Sequence, residues 1–506
     1  MKKGMKKLIS AILMILLLTP VLVSCQGNKD KYEKDVTPTS NQGTSDDVID
    51  NSISEFEPVA GTDYGGYTFR ILGGKPNSNI WGPYIIGSIN EIAPEEEIGE
   101  PINDMIYKRN REVEKLYNIE IVPVYQTTDR GELANSALRN IMAGDDAYDV
   151  SLMVGSAMAS ILSSNSYTYD LFEVPNLDLT KSWWNQTLIS ELSIANQVRM
   201  ITGDISVYSA FGLNMIFQNK EMVKLYELEN AYDLVRQGKW TWEKMIEMCR
   251  EVSRDLDGDG KMTKADSFGI FGEFGIMSFS VLSSGERITK KDKDDIPYLS
   301  INTENTIKAL DYTLKSFLDK NLGMLSQDYR DYGDPYYELF LPKFQTNELL
   351  FMMDNMLSAL ELRSMDGDFG ILPYPKLSEQ QSQYYTTSNK WWDTYIFIPT
   401  SCKDIGRTGT ILDALGYYSQ KYVRPTIINT TVTNKLIRDD DSADMFDLLL
   451  NTRTYDLALL YLWGNLDWCL FRTTAQERAN VFVTEYEKNV DVIKASMEKT
   501  INELLK

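Results

Sequence analysis

Alternating strand-like and helix-like segments constrain the fold of this chain most strongly. The segment YGGYTFRILGG (64–74) alternates aromatic and apolar residues, and 101–118 has the apolar spacing of an amphipathic helix. IEIVPVY (119–125) and YDVSLMVG (148–155) are again typical of strands, with a helical segment between them. Helical crossovers between consecutive strands make those strands parallel, so this order predicts an α/β fold with a parallel sheet.

The remainder of the chain continues with strands and helices at less regular intervals. A long helix is predicted over 240–256, and the final hundred residues are mostly helical in pattern. Two aromatic runs are predicted to be extended: 206–219, which is uncharged, and 391–401. Roughly 440 folded residues are too many for one core, which indicates two or more lobes. Further strands are predicted at 268–272, 347–353 and 369–376.

The N-terminus is typical of an export signal that ends in a lipid anchor. MKKGMKK carries four lysines, and the apolar run 8–24 follows it directly. LVSC (22–25) resembles the lipobox of bacterial lipoproteins, in which the cysteine is diacylated after cleavage. We therefore expect a signal peptide over 1–24, a lipidated Cys25, and a flexible polar tether that continues to residue 63. The protein is then expected on the extracytoplasmic face of the cell membrane, held by its lipid.

The charge of the chain is strongly acidic. The net charge is −22, and removal of the four signal lysines takes it to −26, with 47 basic against 73 acidic side chains. Such a surface repels nucleic-acid phosphates and anionic headgroups. We therefore expect no nucleic-acid partner, and membrane contact through the lipid anchor only.

The absence of histidine removes several classes of catalytic site. The chain contains no histidine, which excludes Ser-His-Asp and Cys-His catalysis and HExxH zinc sites. Three cysteines remain after Cys25, at 249, 402 and 469. They are expected to be buried free thiols, and the alternative is that two of them form a single disulfide. Catalysis by a pair of carboxylates is still allowed, because 73 acidic residues always permit such a pair. A glycosidase needs its two carboxyl groups at a defined distance in space, which the sequence does not show.

The stretch RDLDGDGKMTKADSFG (254–269) has the ligand spacing of a calcium loop. Gly260 stands at position 6, where the sharp turn falls, and aspartate replaces the usual glutamate at position 12. A sensor carries paired loops, whereas one loop is visible here, so the predicted calcium ion is structural. Positions 1, 3, 5, 7, 9 and 12 are Asp255, Asp257, Asp259, the Lys261 carbonyl, Thr263 and Asp266.

Four phrases, in this order, resemble one protein family. NDMIYKRNREVEKLYNIEI, AGDDAYDV, KWTWEKM and FGILPYPK are similar to the family 1, maltose-binding-protein-like solute-binding lipoproteins of bacterial carbohydrate ABC importers. The resemblance implies a two-lobe periplasmic-binding-protein-like (type II) α/β fold, with a hinge and a ligand cleft between the lobes. Lobe one would comprise 64–207 and 395–430, and lobe two would comprise 212–390 and 431–506.

The resemblance also implies where a ligand would be held. In such proteins, ligand contacts come from loops after the first and third strands and from the segments that cross between lobes. Sugar sites pair flat aromatic rings with carboxylates and amides. The candidate ligand-binding residues are therefore Lys75, Ser156, Tyr208, Asn214, Trp391 and Trp392, with Trp81, Trp183 and Trp184 close in sequence to these loops and Asp354 as a hydroxyl acceptor.

By the same resemblance, the chain is expected to be a monomeric receptor and not an enzyme. It would capture a carbohydrate, closing around it, and deliver it to the permease subunits of an ABC transporter. Two alternatives stay open. One is a receptor for a non-sugar ligand such as a peptide, and the other is a surface glycoside hydrolase that uses an Asp/Glu pair.

Overall fold

Two mixed β-sheets, each covered by helices, organise the protein. The computed structural model describes residues 55–75, 89–125, 127–433 and 438–506, which all belong to one contiguous unit, Ile53–Lys506. The strands are β1 (Tyr67–Gly73), β2 (Ile119–Tyr125), β3 (Val150–Val154), β4 (Asn214–Asn219), β5 (Phe268–Gly272), β6 (Thr289–Lys291), β7 (Pro297–Leu299), β8 (Gly323–Leu325), β9 (Leu349–Asn355), β10 (Phe369–Leu372), β11 (Thr386–Thr387), β12 (Thr394–Phe397) and β13 (Arg453–Thr454).

Helices separate most of these strands and cover the two larger sheets. They are α1 (Pro101–Tyr117), α2 (Arg130–Ala143), α3 (Ala159–Leu162), α4 (Gln186–Leu192), α5 (Tyr208–Phe211), α6 (Lys220–Leu225), α7 (Ala231–Arg236), α8 (Trp242–Val252), α9 (Ile276–Ser283), α10 (Glu304–Leu318), α11 (Leu341–Gln345), α12 (Ser358–Leu362), α13 (Ile405–Tyr418), α14 (Arg424–Thr433), α15 (Asp440–Asn451), α16 (Leu457–Tyr461), α17 (Thr473–Glu477) and α18 (Phe482–Leu504).

Local sequence signals fix where the long helices begin and end. Helix α1 starts with a proline, and the side chain of Glu100 accepts a hydrogen bond from the Asn103 amide. It ends at Asn118, which has a left-handed backbone with φ of 50°. Helix α8 starts after Thr241, whose hydroxyl accepts a hydrogen bond from the Lys244 amide. Such caps satisfy backbone groups that a helix end leaves without partners.

The first sheet has the strand order β12-β3-β1-β2. Strand β1 runs parallel to both β2 and β3, as the alternation of strands and helices predicts, whereas β12 runs antiparallel to β3. All five residues of β3 are buried. Burial of both faces explains why this strand has a continuous apolar sequence instead of an alternating one.

The second sheet has the order β10-β4-β9-β5-β8 and is also mixed. Strands β9, β5 and β8 are parallel, and β4 is antiparallel to its neighbours β9 and β10. The parallel arrangement predicted from the first three strands therefore does not extend to β4 and β12, which run antiparallel to their neighbours. Strands β4 and β12 each follow a passage of the chain from one sheet to the other, so neither is reached by a local crossover.

The two predicted extended runs are only partly extended. Residues 208–211 form α5, and the extended backbone begins at β4. The second run starts with a turn at 391–392 before β12. Residues that are buried on all sides give no periodic pattern, so a short buried helix cannot be told from a strand by its sequence.

The division of strands between the sheets follows the chain. The first sheet takes its strands from 67–154 and 394–397, and the second takes its strands from 214–372. The predicted residue boundaries of two lobes stay a prediction. Within the described ranges, no helix is long and apolar enough to cross a membrane. Cys249 and Cys402 are buried free thiols, and Cys469 is a partly buried one.

Candidate functional site

A pocket of about 260 Å³ opens at the end of β9. It lies beside residues 389–393, the return segment, through which the chain passes back to the first sheet. Four of its lining residues are carboxylates and three are aromatic. The lining consists of Glu273, Asp334, Tyr336, Tyr337, Asp354, Asn355, Leu357, Ser358, Glu361 and Trp392. We refer to it as the β9 pocket.

A short hydrogen-bond network holds the floor of the β9 pocket. The carboxylate of Asp354 accepts hydrogen bonds of 2.8 Å from the backbone and side-chain nitrogens of Asn355. Its other oxygen accepts from the Ser358 hydroxyl at 2.7 Å, and Ser358 in turn accepts from the Tyr336 hydroxyl at 2.7 Å. Because each group is held by the next, the carboxylate has a defined orientation before a ligand arrives.

The two tyrosines of the β9 pocket lie on a π-helical turn, Tyr336–Phe340. Their rings are 5.0 Å apart and nearly perpendicular, at 88°. Tyr336 also lies against Phe271 of β5, with 6.5 Å between ring centroids. A π-helical turn is wider than an α-helical one and is frequent at functional sites, because it changes the direction in which side chains project.

Trp392 brings the return segment to the β9 pocket. Its backbone amide donates to the Asn389 carbonyl at 2.8 Å, and its ring is partly exposed. The guanidinium of Arg130, at the start of α2, lies 5.2 Å from the centre of that ring. Arg130 also donates to the Trp391 carbonyl at 2.9 Å. A residue packed beside the first sheet therefore holds the aromatic wall of a pocket built mainly next to the second.

Crowding of carboxylates affects their protonation. Burial raises the pKa of Asp354 to about 7, and the nearby Glu273 carboxylate adds to that rise against the hydrogen bond from Ser358. Burial also raises the pKa of Glu273. The nearby Arg472 guanidinium lowers this pKa, whereas the Asp334 carboxylate raises it further. Both shifts have the direction expected for like charges that share a site with restricted water access.

The structure brings together two of the residues predicted from the sequence. Trp392 and Asp354 line the β9 pocket, and Trp391 stands next to it with 42% of its surface exposed. Ser156 lies against the same return segment, because its amide donates to the Lys390 carbonyl at 2.9 Å. Their contact with a ligand stays a prediction.

Other predicted residues lie elsewhere. Trp183 and Trp184 are buried in the hydrophobic core, where the Trp183 indole packs near Phe56 and Tyr417 and donates to Asp413. Closeness in sequence to a strand loop suggested these tryptophans as ligand contacts, but close packing leaves their rings no open surface.

Asn214 and Lys75 are not part of the pocket lining. Asn214 is buried and bonded to Thr387 and Asn389. Lys75 is exposed at the end of β1. The backbone of Tyr208 lies in α5, and Trp81, like Cys25, lies outside the described residues.

Several residues of the β9 pocket were missed at the sequence level. Asp334, Tyr336 and Tyr337 come from the stretch DPYYELF, whose paired tyrosines next to an aspartate were the available signal. No sequence signal marks Glu273, which follows β5, or Glu361, which lies in α12. Both stand at positions where a solvated carboxylate is common.

The predicted calcium loop brings three aspartates together on the surface. Asp255, Asp257 and Asp259 are exposed, and each offers a carboxylate oxygen within 4.8 Å of the other two, so the triad can bind a metal ion. Asp266 differs from the prediction for position 12. It is fully buried, and its oxygens accept hydrogen bonds from the backbone amides of Leu256 and Thr263 at 2.8 and 2.6 Å.

Comparison with solved structures identifies the fold. UgpB from Mycobacterium tuberculosis in complex with glycerophosphocholine matches with a TM-score of 0.55 and 14% identity, over 79% of this chain and 97% of that one. The sugar-binding protein MalE from Xanthomonas citri matches with a TM-score of 0.55 and 12% identity, over 86% and 98%. The ABC substrate-binding protein Lmo0181 from Listeria monocytogenes, in complex with cycloalternan, gives 0.51 and 11%, over 86% and 98%.

These similarities confirm the predicted fold class, an α/β fold of the periplasmic-binding-protein type. The fold is shared with these three proteins across nearly their whole length. No protein-family profile matches the sequence, and no curated protein matches it. The resemblance found in the four sequence phrases is thus supported at the level of the fold.

Asp354→Asn is expected to change how stability depends on pH. The carboxyl pKa is 3.8 without the protein environment and about 7 in the folded protein, so between these values the folded state binds more protons than the unfolded state. Stability therefore falls as pH rises through this window and is constant above it. The asparagine variant lacks this term and gains up to about 4 kcal/mol relative to the wild type from pH 4 to pH 8.

The measurement is the free energy of unfolding in urea at pH 4, 6 and 8. Glu251→Gln, an exposed position on α8, is the control and should follow the wild type. Equal pH slopes for the wild type and Asp354→Asn would contradict the assignment.

Proposed function

We propose that the protein is a receptor that captures a carbohydrate in the β9 pocket and passes it unaltered to an ABC import permease. The observation that carries this proposal is the composition of the pocket. The rings of Trp392, Tyr336 and Tyr337 stand beside the oxygens of Asp354 and the amide of Asn355. Sugars present flat C–H faces, which pack on aromatic rings, and a rim of hydroxyls, which form hydrogen bonds with carboxylate and amide groups.

The fold supports capture followed by delivery. Among the proteins that share it, MalE from Xanthomonas citri is described as sugar-binding, and Lmo0181 is bound to cycloalternan. The chain passes between its sheets before β4 and again before β12, next to the pocket. Such passages suit hinges, because a few residues absorb the backbone rotation while the sheets stay rigid. A ligand that contacts both sides would favour a closed state, which the permease recognises.

A second candidate is a receptor for a small polar solute that is not a sugar. UgpB, which has the same fold, binds glycerophosphocholine in its structure. A pocket of about 260 Å³ with carboxylates and aromatic rings also suits such a molecule in size. A ligand panel that contains both classes separates the two candidates.

The sugar proposal predicts binding that depends on Trp392. In the wild type, one saccharide of a broad panel should raise the melting temperature and reduce the scattering radius, because ligand stabilises the closed, folded state. Trp392→Ala should weaken binding of that saccharide about 10- to 100-fold through loss of stacking area. Calorimetry measures the affinity.

Tyr298→Ala serves as the control, since Tyr298 is an exposed aromatic residue of β7 outside the pocket. Mass spectrometry of the recovered saccharide checks that it is intact. A cleaved product would indicate an enzyme, and a panel without any response would exclude the carbohydrate class.

We also propose that Cys25 carries the lipid that anchors the protein outside the cytoplasmic membrane. The support is the basic segment, the apolar run and the LVSC sequence at 22–25. In a bacterial host, the wild type is expected to incorporate labelled palmitate and to begin at a diacylated Cys25. Cys25→Ala should lose the label, while Cys469→Ser should keep it, as measured by autoradiography and mass spectrometry. Label retained in Cys25→Ala would show that the lipid is elsewhere.

A structural calcium ion is proposed at the aspartate triad. Asp255, Asp257 and Asp259 present their oxygens at metal-binding separations, and the loop connects α8 to β5. In that position an ion would offset the repulsion of crowded carboxylates. An affinity on the order of 10⁻⁴ to 10⁻³ M is expected from the class of extracellular calcium modules.

The calcium proposal predicts that about 10 mM Ca²⁺ raises the melting temperature of the wild type by mass action. Asp257→Asn should reduce the affinity at least about 10-fold and lower the shift, because one anionic ligand is lost. Asp292→Asn is the matched control, since Asp292 also accepts backbone hydrogen bonds in a surface turn. An identical shift in all three proteins would mean that calcium acts elsewhere.

A further inference from the structure

Within the part of the chain that the structure describes, the carboxylates of the β9 pocket form no ion pair with a lysine or arginine. Glu273, Asp334, Asp354 and Glu361 all line the pocket, and no lysine or arginine lines it with them. Within the described residues, none of the four has a Lys or Arg nitrogen within 4.0 Å, although ion pairs are frequent elsewhere on the surface. Four acidic groups therefore line a small cavity, and no lysine or arginine lines it with them.

The nearest cations are engaged with other groups. Lys390 and Arg472 both pair with Asp467, at 3.2 and 3.5 Å. Arg130 lies over the Trp392 ring and donates to the Trp391 carbonyl. Arg472 and the exposed Arg330 act on Glu273 from a distance, and they reduce the rise of its pKa without cancelling it.

The aromatic residues point to the same ligand chemistry. Tyr336, Tyr337 and Trp392 line the cavity together with the carboxylates. The face of an aromatic ring attracts a cation, and the attraction is larger where water is partly excluded. Neutral hydroxyls need only one or two carboxylates as acceptors, and they leave the repulsion among Glu273, Asp334 and Asp354 in place.

We propose that the natural ligand of the β9 pocket carries a positively charged nitrogen, as in an amino sugar. The proposal rests on the proposed function and makes it more specific, since it names the charge of the saccharide. The ammonium group would lie among the carboxylates, with ring faces around it. It would offset the repulsion between Glu273 and its neighbours Asp334 and Asp354.

Binding of such a group is linked to protonation. Asp354 is surrounded by Glu273, Asn355, Ser358 and Tyr336, and its carboxyl has a pKa of about 7. A cation beside it stabilises the carboxylate and lowers that pKa, so near pH 6 binding releases a proton from the protein. A neutral ligand brings no charge that would lower the pKa of Asp354 in this way.

The test compares three tetrasaccharides of the same β-1,4-linked backbone by calorimetry at pH 6. One carries N-acetyl groups and is neutral, one carries free amines, and one carries trimethylammonium groups whose charge does not depend on pH. Both cationic forms are expected to bind at least about 10-fold more tightly than the neutral form. The trimethylammonium form should also release a proton, measured from the heats in two buffers of different ionisation enthalpy.

Substitutions test whether the pocket carboxylates are responsible. Glu361→Gln and Glu273→Gln should each weaken binding of both cationic forms by a larger factor than binding of the neutral form, because only the cationic forms lose a charge-charge attraction. Glu251→Gln, on the exposed side of α8, should bind all three as the wild type does. Added salt should weaken binding of the cationic forms only, because screening acts on charge.

The outcomes separate this proposal from the proposed function. If the neutral tetrasaccharide or a neutral sugar of the panel binds as tightly as the cationic forms, the charge inference is wrong and the sugar receptor stands. If choline or glycerophosphocholine binds while every saccharide fails, the charge inference stands and the sugar assignment is wrong. If none of these molecules binds, both proposals are overturned.

Discussion

The structure of the candidate site depends on how the return segment 389–393 is fixed between the two sheets. The Asn389 amide donates to the Gly212 carbonyl at 2.9 Å, which joins this passage of the chain to the one before β4. Lys390 forms a buried ion pair with Asp467, and the Gly155 amide donates to the Asp393 carbonyl at 3.2 Å. Loss of one partner from a buried ion pair costs roughly 3–5 kcal/mol, because the other charge is left in a poor environment. Trp392 is therefore placed at the β9 pocket by backbone and charge interactions that its own ring does not make.

The regular parts of the fold could be predicted from sequence because their signals are local. Helix α1 has an amphipathic pattern, a proline at its start and a left-handed asparagine after its end, and the structure differs from the predicted range by one residue. The order of β1, α1 and β2 likewise follows from the change in apolar period. The antiparallel strands β4 and β12 could not be predicted in this way, since their direction depends on which sheet the chain has just left. That information is not local.

The site was harder to predict for the same reason. Asp354 was found as a carboxylate close to a strong strand pattern, and Trp392 as a member of an aromatic run at an expected passage. Tyr336 and Tyr337 come from a π-helical turn, which has no sequence period of its own. Trp183 is the opposite case, since it was predicted to contact a ligand and lies in the core. The local sequence around a tryptophan does not show whether it lies in a core or in a cleft. Burial separates them, and burial is a property of the assembled fold.

The acidity of the β9 pocket gives the ligand a role in the energetics of the site itself. Burial and the neighbouring Glu273 raise the pKa of Asp354 to about 7, so below that pH most molecules carry a proton there, which limits the repulsion between the two carboxyl groups. A ligand cation replaces that proton as the compensating charge, and only the ligand also contacts Trp392 on the return segment. A proton and a ligand cation thus both reduce the repulsion at Asp354. A proton leaves the two sheets uncoupled, whereas a ligand that contacts Trp392 would connect them. In the proposed receptor, such a pocket would favour closure around a charged solute and not around water or a bare proton, because only the solute would contact both sides.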